Sequence, residues 1–162
     1  MGIQEAMNMG EAIQKTSSVD QKDFYVSKER EKLDFIRIVA LLRQSYWAKD
    51  RPEEMIRKSV EHSVCYGVYD NNHYMVGFAR YITDYTRVFY LMDVIIDEAY
   101  RGNGLGTLLM DSIMADVGEL YGVLHTDDAQ KFYAKYGFSG DRETVKHTME
   151  REGGVAWKTK MK

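Results

Sequence analysis

The run Arg101-Gly102-Asn103-Gly104-Leu105-Gly106 places three glycines where an apolar stretch gives way to a helical pattern. A strand that enters such a turn and leaves as a helix aims several unpaired backbone N–H groups at one point, and the helix dipole adds roughly half a positive charge there. An anion belongs in that place. Glycine at 102, 104 and 106 removes side chains that would keep a diphosphate away, and Thr107 offers a hydroxyl donor. A Walker loop needs Gly-Lys-Ser/Thr at the helix start, but Thr107-Leu108 follows Gly106 with no lysine. A dinucleotide fingerprint needs glycine where Thr107 stands and an acid at the end of the next strand, where Leu124-His125 stands.

A third pattern, Arg/Gln-x-x-Gly-x-Gly/Ala, is met without a gap by Arg101, Gly104 and Gly106. A second, distant segment runs Asp128-Ala129-Gln130-Lys131-Phe132-Tyr133-Ala134-Lys135-Tyr136-Gly137-Phe138. It looks like the Asn-Ala-x-x-Leu-Tyr-x-x-x-Gly-Phe helix of the GNAT superfamily of acyl-coenzyme A-dependent N-acetyltransferases. With both motifs at the expected separation, the chain resembles that superfamily from about Asp23 to Phe138. The resemblance implies acetyl-coenzyme A as cosubstrate and an amine as acceptor. It implies that Val94, Ile95 and Ile96 offer backbone groups to the pantetheine arm, and that Arg101, Gly102, Asn103, Gly104, Leu105, Gly106 and Thr107 form the pyrophosphate nest. Asp128 stands where the family often has an asparagine whose amide contacts the cofactor, so the resemblance implies a cofactor-binding position for it; an acid caps a helix equally well, but an ionised one donates no hydrogen bond to a cofactor.

A primary amine is largely protonated near neutral pH, with a reference pKa of about 10.4 for a lysine-like case, so attack on a thioester needs a base or a water relay. Asp93 is the one charged residue in the apolar run Val88 to Ile96 and is the candidate for poising a water or holding the ammonium. The alternative for Asp93 is a buried acid satisfied by backbone or by Arg80. His125 is a further alternative base. The departing thiolate is favoured by a proton donor, and Tyr133 matches the family's donor position. Tyr46, Trp47 and Arg51 cluster between two expected helices, and Tyr81 opens the turn that runs to Tyr85. These residues are expected to shape the acceptor site, where aromatics can stack or enclose a cation.

The elements that must hold these residues are legible in the apolar spacing. Asp23 to Ser27 is strand-like, and Phe35, Ile38, Val39, Leu42 and Tyr46 recur at the spacing of an amphipathic helix. Asp50-Arg51-Pro52-Glu53-Glu54 combines a cap candidate in Asp50, the only proline and two first-turn acids, and starts a second helix running to about His62. Val64 to Tyr69 and Tyr74 to Ile82 flank an Asp70-Asn71-Asn72 turn as a hairpin, and Val88 to Ile96 is a central buried strand. Leu105, Leu108, Leu109, Ser112, Ile113 and Val117 trace one face of a helix ending near Gly118, before a strand from Tyr121 to His125. Asp128 is expected to cap a last helix that Gly137 stops, with weak strands after it. The order β-α-α-β-β-β-α-β-α-β mixes hairpins with crossovers and predicts an α/β fold with a mixed, mostly antiparallel sheet.

At 162 residues with 44% hydrophobic and 29% charged content, the chain fits one globular domain, read as residues 23–162 after an N-terminal extension at 1–22. A net charge of -3 gives no general attraction to nucleic acid or to a membrane surface. The single cysteine, Cys65, rules out an internal disulfide and fits a reducing compartment, so a cytoplasmic location is expected. His62, His73, His125 and His147 lack ligand spacing, so no metal is expected. Dimers are common in the superfamily, and a homodimer is compatible with the resemblance. Two functions follow from it: an N-acetyltransferase, or a module that binds an acyl-coenzyme A and lacks catalysis.

Overall fold

The computed structural model describes residues 20–151. Most of the expected extension, up to residue 19, lies outside the described residues. Five strands form one sheet: β1 (Phe24–Ser27), β2 (Val64–Asp70), β3 (Met75–Thr83), β4 (Val88–Ile96) and β5 (Tyr121–Val123), in the spatial order β1-β2-β3-β4-β5. The first three pairings are antiparallel and the last, β4 with β5, is parallel. That last pairing needs a crossover, which the helix between the two strands provides. The fold is the α/β class with the mixed, mostly antiparallel sheet predicted above.

Helix α1 (Phe35–Arg43) and helix α2 (Glu53–Glu61) cover one face of the sheet. Ile38, Leu41, Leu42 and Ile56 from these helices pack with Tyr69, Met75, Phe78 and Ile95, all buried. Helix α3 (Leu105–Val117) covers the other face, where Leu105, Leu109, Met110, Ile113 and Val117 meet Tyr66, Val76, Tyr81, Phe89 and Leu91. Side chains alternate across a strand, so β3 and β4 send residues into both cores and lock the sheet between them. Each large apolar side chain buried this way contributes roughly 1.5–3 kcal/mol.

The end of β4, where the glycine turn begins, is tied to α1 by polar contacts. The Arg37 guanidinium pairs with Asp97 at 2.8 Å and donates to the Met75 carbonyl at 3.0 Å, while Gln44 Oε1 accepts from the Glu98 amide at 2.9 Å. In the hairpin before it, the Asp70 carboxylate accepts from the Asn72 and Tyr74 amides, and the positive φ falls on His73 rather than on Asn71 or Asn72. The next turn is held by Asp84, whose carboxylate accepts from the amides of Val88, Arg87 and Thr86 and is kept well below the usual carboxylate range by those bonds.

Four boundaries differ from the sequence reading. Helix α1 stops at Arg43, short of Tyr46, because the Ser45 hydroxyl donates to the Leu42 carbonyl and accepts from the Ala48 amide, closing a tight turn. Pro52, not Asp50, is the N-cap of α2. Helix α4 (Gln130–Ala134) follows an N-cap at Ala129, whose amide bonds the Thr126 hydroxyl at 3.0 Å, so Asp128 does not cap it. After Gly137, which has the expected positive φ, the described residues hold a short helix α5 (Glu143–Lys146) in place of a strand. Ser139-Gly140-Asp141-Arg142-Glu143 has no apolar alternation to bury, and the segment is exposed throughout.

Candidate functional site

Strands β4 and β5 pair at Val88 with Tyr121, Phe89 with Gly122 and Tyr90 with Val123, and then part, although β4 continues to Ile96. A cavity of about 340 Å³ occupies the opening, lined by Val94, Ile95 and Ile96 on one side, Ala129, Phe132 and Tyr133 on the other, and Arg101, Gly102, Gly104, Leu105 and Gly106 at its end. The strand residues and most of the turn residues singled out from the sequence therefore surround one space.

The turn is built to leave donors free. Gly102 and Gly104 have φ of +79° and +76°, in the left-handed region that favours glycine. Gly104 is the N-cap of α3 and provides no side-chain cap, so the first amides of that helix are left to an outside acceptor. The Asn103 side chain folds back to donate to the carbonyls of Tyr100 and Arg101, and Arg101 Nε donates to the Ile96 carbonyl at 2.9 Å. Both side chains brace the turn. Thr107 and Asn103 are not among the cavity-lining residues. Gln21, from the end of the segment read as an extension, donates from Nε2 to the Asn103 carbonyl at 3.3 Å, and any side chain at Gly104 would run into it.

A second cavity of about 390 Å³ adjoins the first, and Val94, Ala129 and Tyr133 line both. Its walls include Tyr46, Trp47, Arg51, Arg80, Tyr90, Asp93, His125, Asp127 and Asp128. Tyr46, Trp47 and Arg51 are brought together as expected. Tyr81 is not: it is buried in the other core, its ring packed edge-on against Phe89 at 5.9 Å, because strand alternation turns it toward α3. Asp128 also departs from its expected place, lining this cavity and not the one beside the glycine turn.

Asp93 sits at an irregularity in β4, between the pairs Arg80 with Met92 and Phe78 with Ile95, and has a φ of +54°. The bulge turns its carboxylate beneath the second cavity, with only 3% of the side chain exposed. Arg51 grips it with two nitrogens at 2.8 and 3.2 Å, Arg80 Nε donates at 2.6 Å and the Trp47 indole at 3.3 Å. Burial pushes its pKa up, but the Arg51 hydrogen bonds and the charges of both arginines outweigh that and hold it below the usual carboxylate range. The paired-acid alternative describes this geometry, with Arg51 as a second partner. A carboxylate with four donors around it is a poor proton acceptor.

The Tyr133 ring packs against Phe132 and Phe138, and its burial, with help from the Asp128 and Tyr46 charges, pushes the phenol up to about 12. It stays protonated throughout the neutral range and is a donor, not a base. His125 has both ring nitrogens engaged, one with the Tyr90 hydroxyl and one with Glu150, which leaves no free lone pair for the alternative base. Asp127, Tyr90 and Arg80 were missed as wall residues. An acid pair directly before the last helix, and an arginine inside an apolar strand, were the signals available for Asp127 and Arg80. Among the described residues no cluster of His, Cys, Asp and Glu is arranged to hold a metal ion, and no helix is long and apolar enough to cross a membrane.

Residues 25–138 match the model of the acetyltransferase (GNAT) family. A protein of Xanthomonas campestris pv. campestris described as belonging to that family is 36% identical, with 83% of this chain and 96% of that one superposed at a TM-score of 0.75. An acetyltransferase of the GNAT family from Streptococcus pneumoniae is 23% identical, covers 80% of this chain and 96% of its own, and shares the fold at a TM-score of 0.62. An uncharacterized N-acetyltransferase ycf52-like protein of Prochlorococcus marinus is 33% identical over 102 residues, and the chain spans 56% of that relative's length.

Proposed function

The chain belongs to the acetyltransferase (GNAT) family, and from that premise we propose that it transfers an acetyl group from acetyl-coenzyme A to an amine. The observation that carries this reading is the meeting of two cavities at Val94, Ala129 and Tyr133, one ending in a donor-rich glycine turn and the other walled by aromatic and charged side chains. A long ligand whose diphosphate lies on the turn would have its reactive end at that meeting point. The uncapped start of α3 and the two positive-φ glycines fit a diphosphate, since the helix's first amides have no side-chain cap and the glycines add no side chain of their own. Bound acetyl-coenzyme A supplies an activated acetyl thioester.

The residues of the chain do the rest. Asp127 and Asp128, on the wall beside Tyr133, hold the incoming ammonium and take up the proton it must lose before attack. The N–C bond then forms as the C–S bond breaks, the nitrogen sheds a second proton, and the sulfur collects one, a net release of one proton. Tyr133 donates a hydrogen bond to the sulfur as negative charge develops on it. Its pKa of about 12 lies above that of a thiol, so the tyrosine stabilises the charge and solvent delivers the proton. Asp93 acts through Arg51, Arg80 and Trp47 by fixing them in the cavity floor.

Two measurements test this. Acetyl-coenzyme A should raise the melting temperature through ligand linkage, and a panel of amines should drive release of free thiol. Stabilisation with no thiol from any amine would establish the non-catalytic binding module instead. No stabilisation at all would remove both readings.

A further inference from the structure

The floor of the 390 Å³ cavity holds one carboxylate between two guanidiniums. Arg51 and Arg80 are 16% and 10% exposed and both pair with Asp93, Arg80 also donating to the Ser63 hydroxyl at 3.1 Å, which leaves one positive charge uncompensated in a recessed place. The other acids of this cavity do not balance it. Among the described residues neither Asp127 nor Asp128 comes within ion-pair distance of either arginine, and Glu150 is bonded to His125. Arg51 Nε and Arg80 Nη2 take no part in the hydrogen bonds that hold the cluster, and neither is a sealed, unsatisfied atom. Neither nitrogen is sealed off, and both arginines are among the residues that line the cavity.

Resting on the acetyltransferase reading, we propose that the acceptor is a small amine that also carries an anionic group, seated on Arg51 and Arg80 while its ammonium lies toward Asp127 and Asp128. The anion completes the charge of the floor, and the acids orient the nitrogen toward the junction lined by Val94 and Tyr133. Trp47, anchored through its indole to Asp93, and Tyr46, packed edge-on against it at 5.1 Å, form the apolar wall between the two charged ends. A carboxylate or a phosphate satisfies the same donors, and a plain alkylamine or a polyamine leaves the cationic floor unanswered.

The test uses the full chain and matched pairs that differ by the anion: ornithine with putrescine, phenylalanine with phenethylamine, and O-phosphoethanolamine with ethanolamine. Each is measured as kcat/KM with acetyl-coenzyme A, and as thermal stabilisation of the protein held with desulfo-coenzyme A, which reads binding without turnover. The anionic member should win by at least about tenfold, the worth of one charge-assisted hydrogen bond. The first two pairs report on carboxylate and the third on phosphate. Arg51→Met should erase the preference chiefly through KM, and Arg51→Lys should keep part of it. Stabilisation by the anionic members with no acetyl transfer would sink the acetyltransferase reading and leave the anion site standing. Equal effects within every pair, a win for the neutral-tailed amines, or stabilisation by none of the compounds would overturn the anion site. So would a preference untouched by Arg51→Met in a protein of native melting temperature.

Discussion

Replacing Asp93 with asparagine separates two roles for that carboxylate. The side chain is 3% exposed and receives hydrogen bonds from Arg51, Arg80 and Trp47. The asparagine would have the same shape but no charge, and half of its amide would point donors at donors. Breaking a buried pair by removing one partner costs about 3–5 kcal/mol, and for a domain of this size each kilocalorie lowers the melting point by roughly 2–4 °C. The expected fall at pH 7 is therefore about 6–20 °C. Adding Arg51→Met to Asp93→Asn should recover part of it, because one fewer buried cation is left without a partner. The pH dependence has a definite sign. The folded-state pKa of Asp93 is lowered, so its contribution is full above the unfolded value of about 3.9 and fades only as pH falls through the folded value. Denaturation curves at pH 7, 5 and 3 measure this, and the gap between wild type and variant should hold from 7 to 5 and narrow below about 4. An Asp93→Asn protein with the wild-type melting point, and with turnover lost along the acid limb of the pH profile, would show that Asp93 is a base and that its arginine cage does not hold the fold.

Three further outcomes follow from the site. Tyr133→Phe should lower kcat by about 10²-fold, the low end of what losing one hydrogen-bond donor to developing charge costs, with little change in KM for acetyl-coenzyme A. Because the phenol is pushed up to about 12, the wild type should show no loss of rate from its ionisation below about pH 11, and a steep falling limb near 9 to 10 would contradict this. Gly104→Ala should both strain the left-handed turn, by about 1 kcal/mol or more, and displace the Gln21 amide, so the melting point and the stabilisation by acetyl-coenzyme A should drop together. Gly106→Ala is the contrast. It lies within α3, and its added methyl meets only Phe132 at 3.5 Å. The fold should gain up to about 1 kcal/mol, and any fall in cofactor binding then reports the turn's grip alone, which isothermal titration would read.

The glycine turn was legible in the sequence because its chemistry is local: positions 102, 104 and 106 speak for themselves once a strand precedes them and a helix follows. The hairpins and the apolar faces of α1 and α3 were legible for the same reason, since period and turn residues lie within a few positions of one another. What stayed hidden depends on pairing over distance. Arg80 was named as a partner for a buried Asp93, but Arg51 joins them only after β3 and β4 pair and α2 docks, and no local pattern says that a second cation will converge on the same acid. The bulge that turns Asp93 inward is equally silent, as an aspartate tolerates positive φ without announcing it. Tyr81 was misassigned because a turn-proximal tyrosine and a core tyrosine look alike until the strand's alternation is fixed. Gln21 was passed over because its segment has no periodicity, yet it reaches the turn through a single amide.

The parting of β4 from β5 has a consequence for how the protein avoids its own kind. From Leu91 to Ile96 the outer edge of β4 has no strand beside it among the described residues, and an unpaired edge invites another chain to add on. Here the edge is recessed: Ala129, Phe132 and Tyr133 stand across the gap and the glycine turn closes its end. A second polypeptide would have to displace these residues before it could pair with the edge. The walls that narrow the notch therefore also guard the strand edge, and trimming Phe132 would expose that edge to intruding strands.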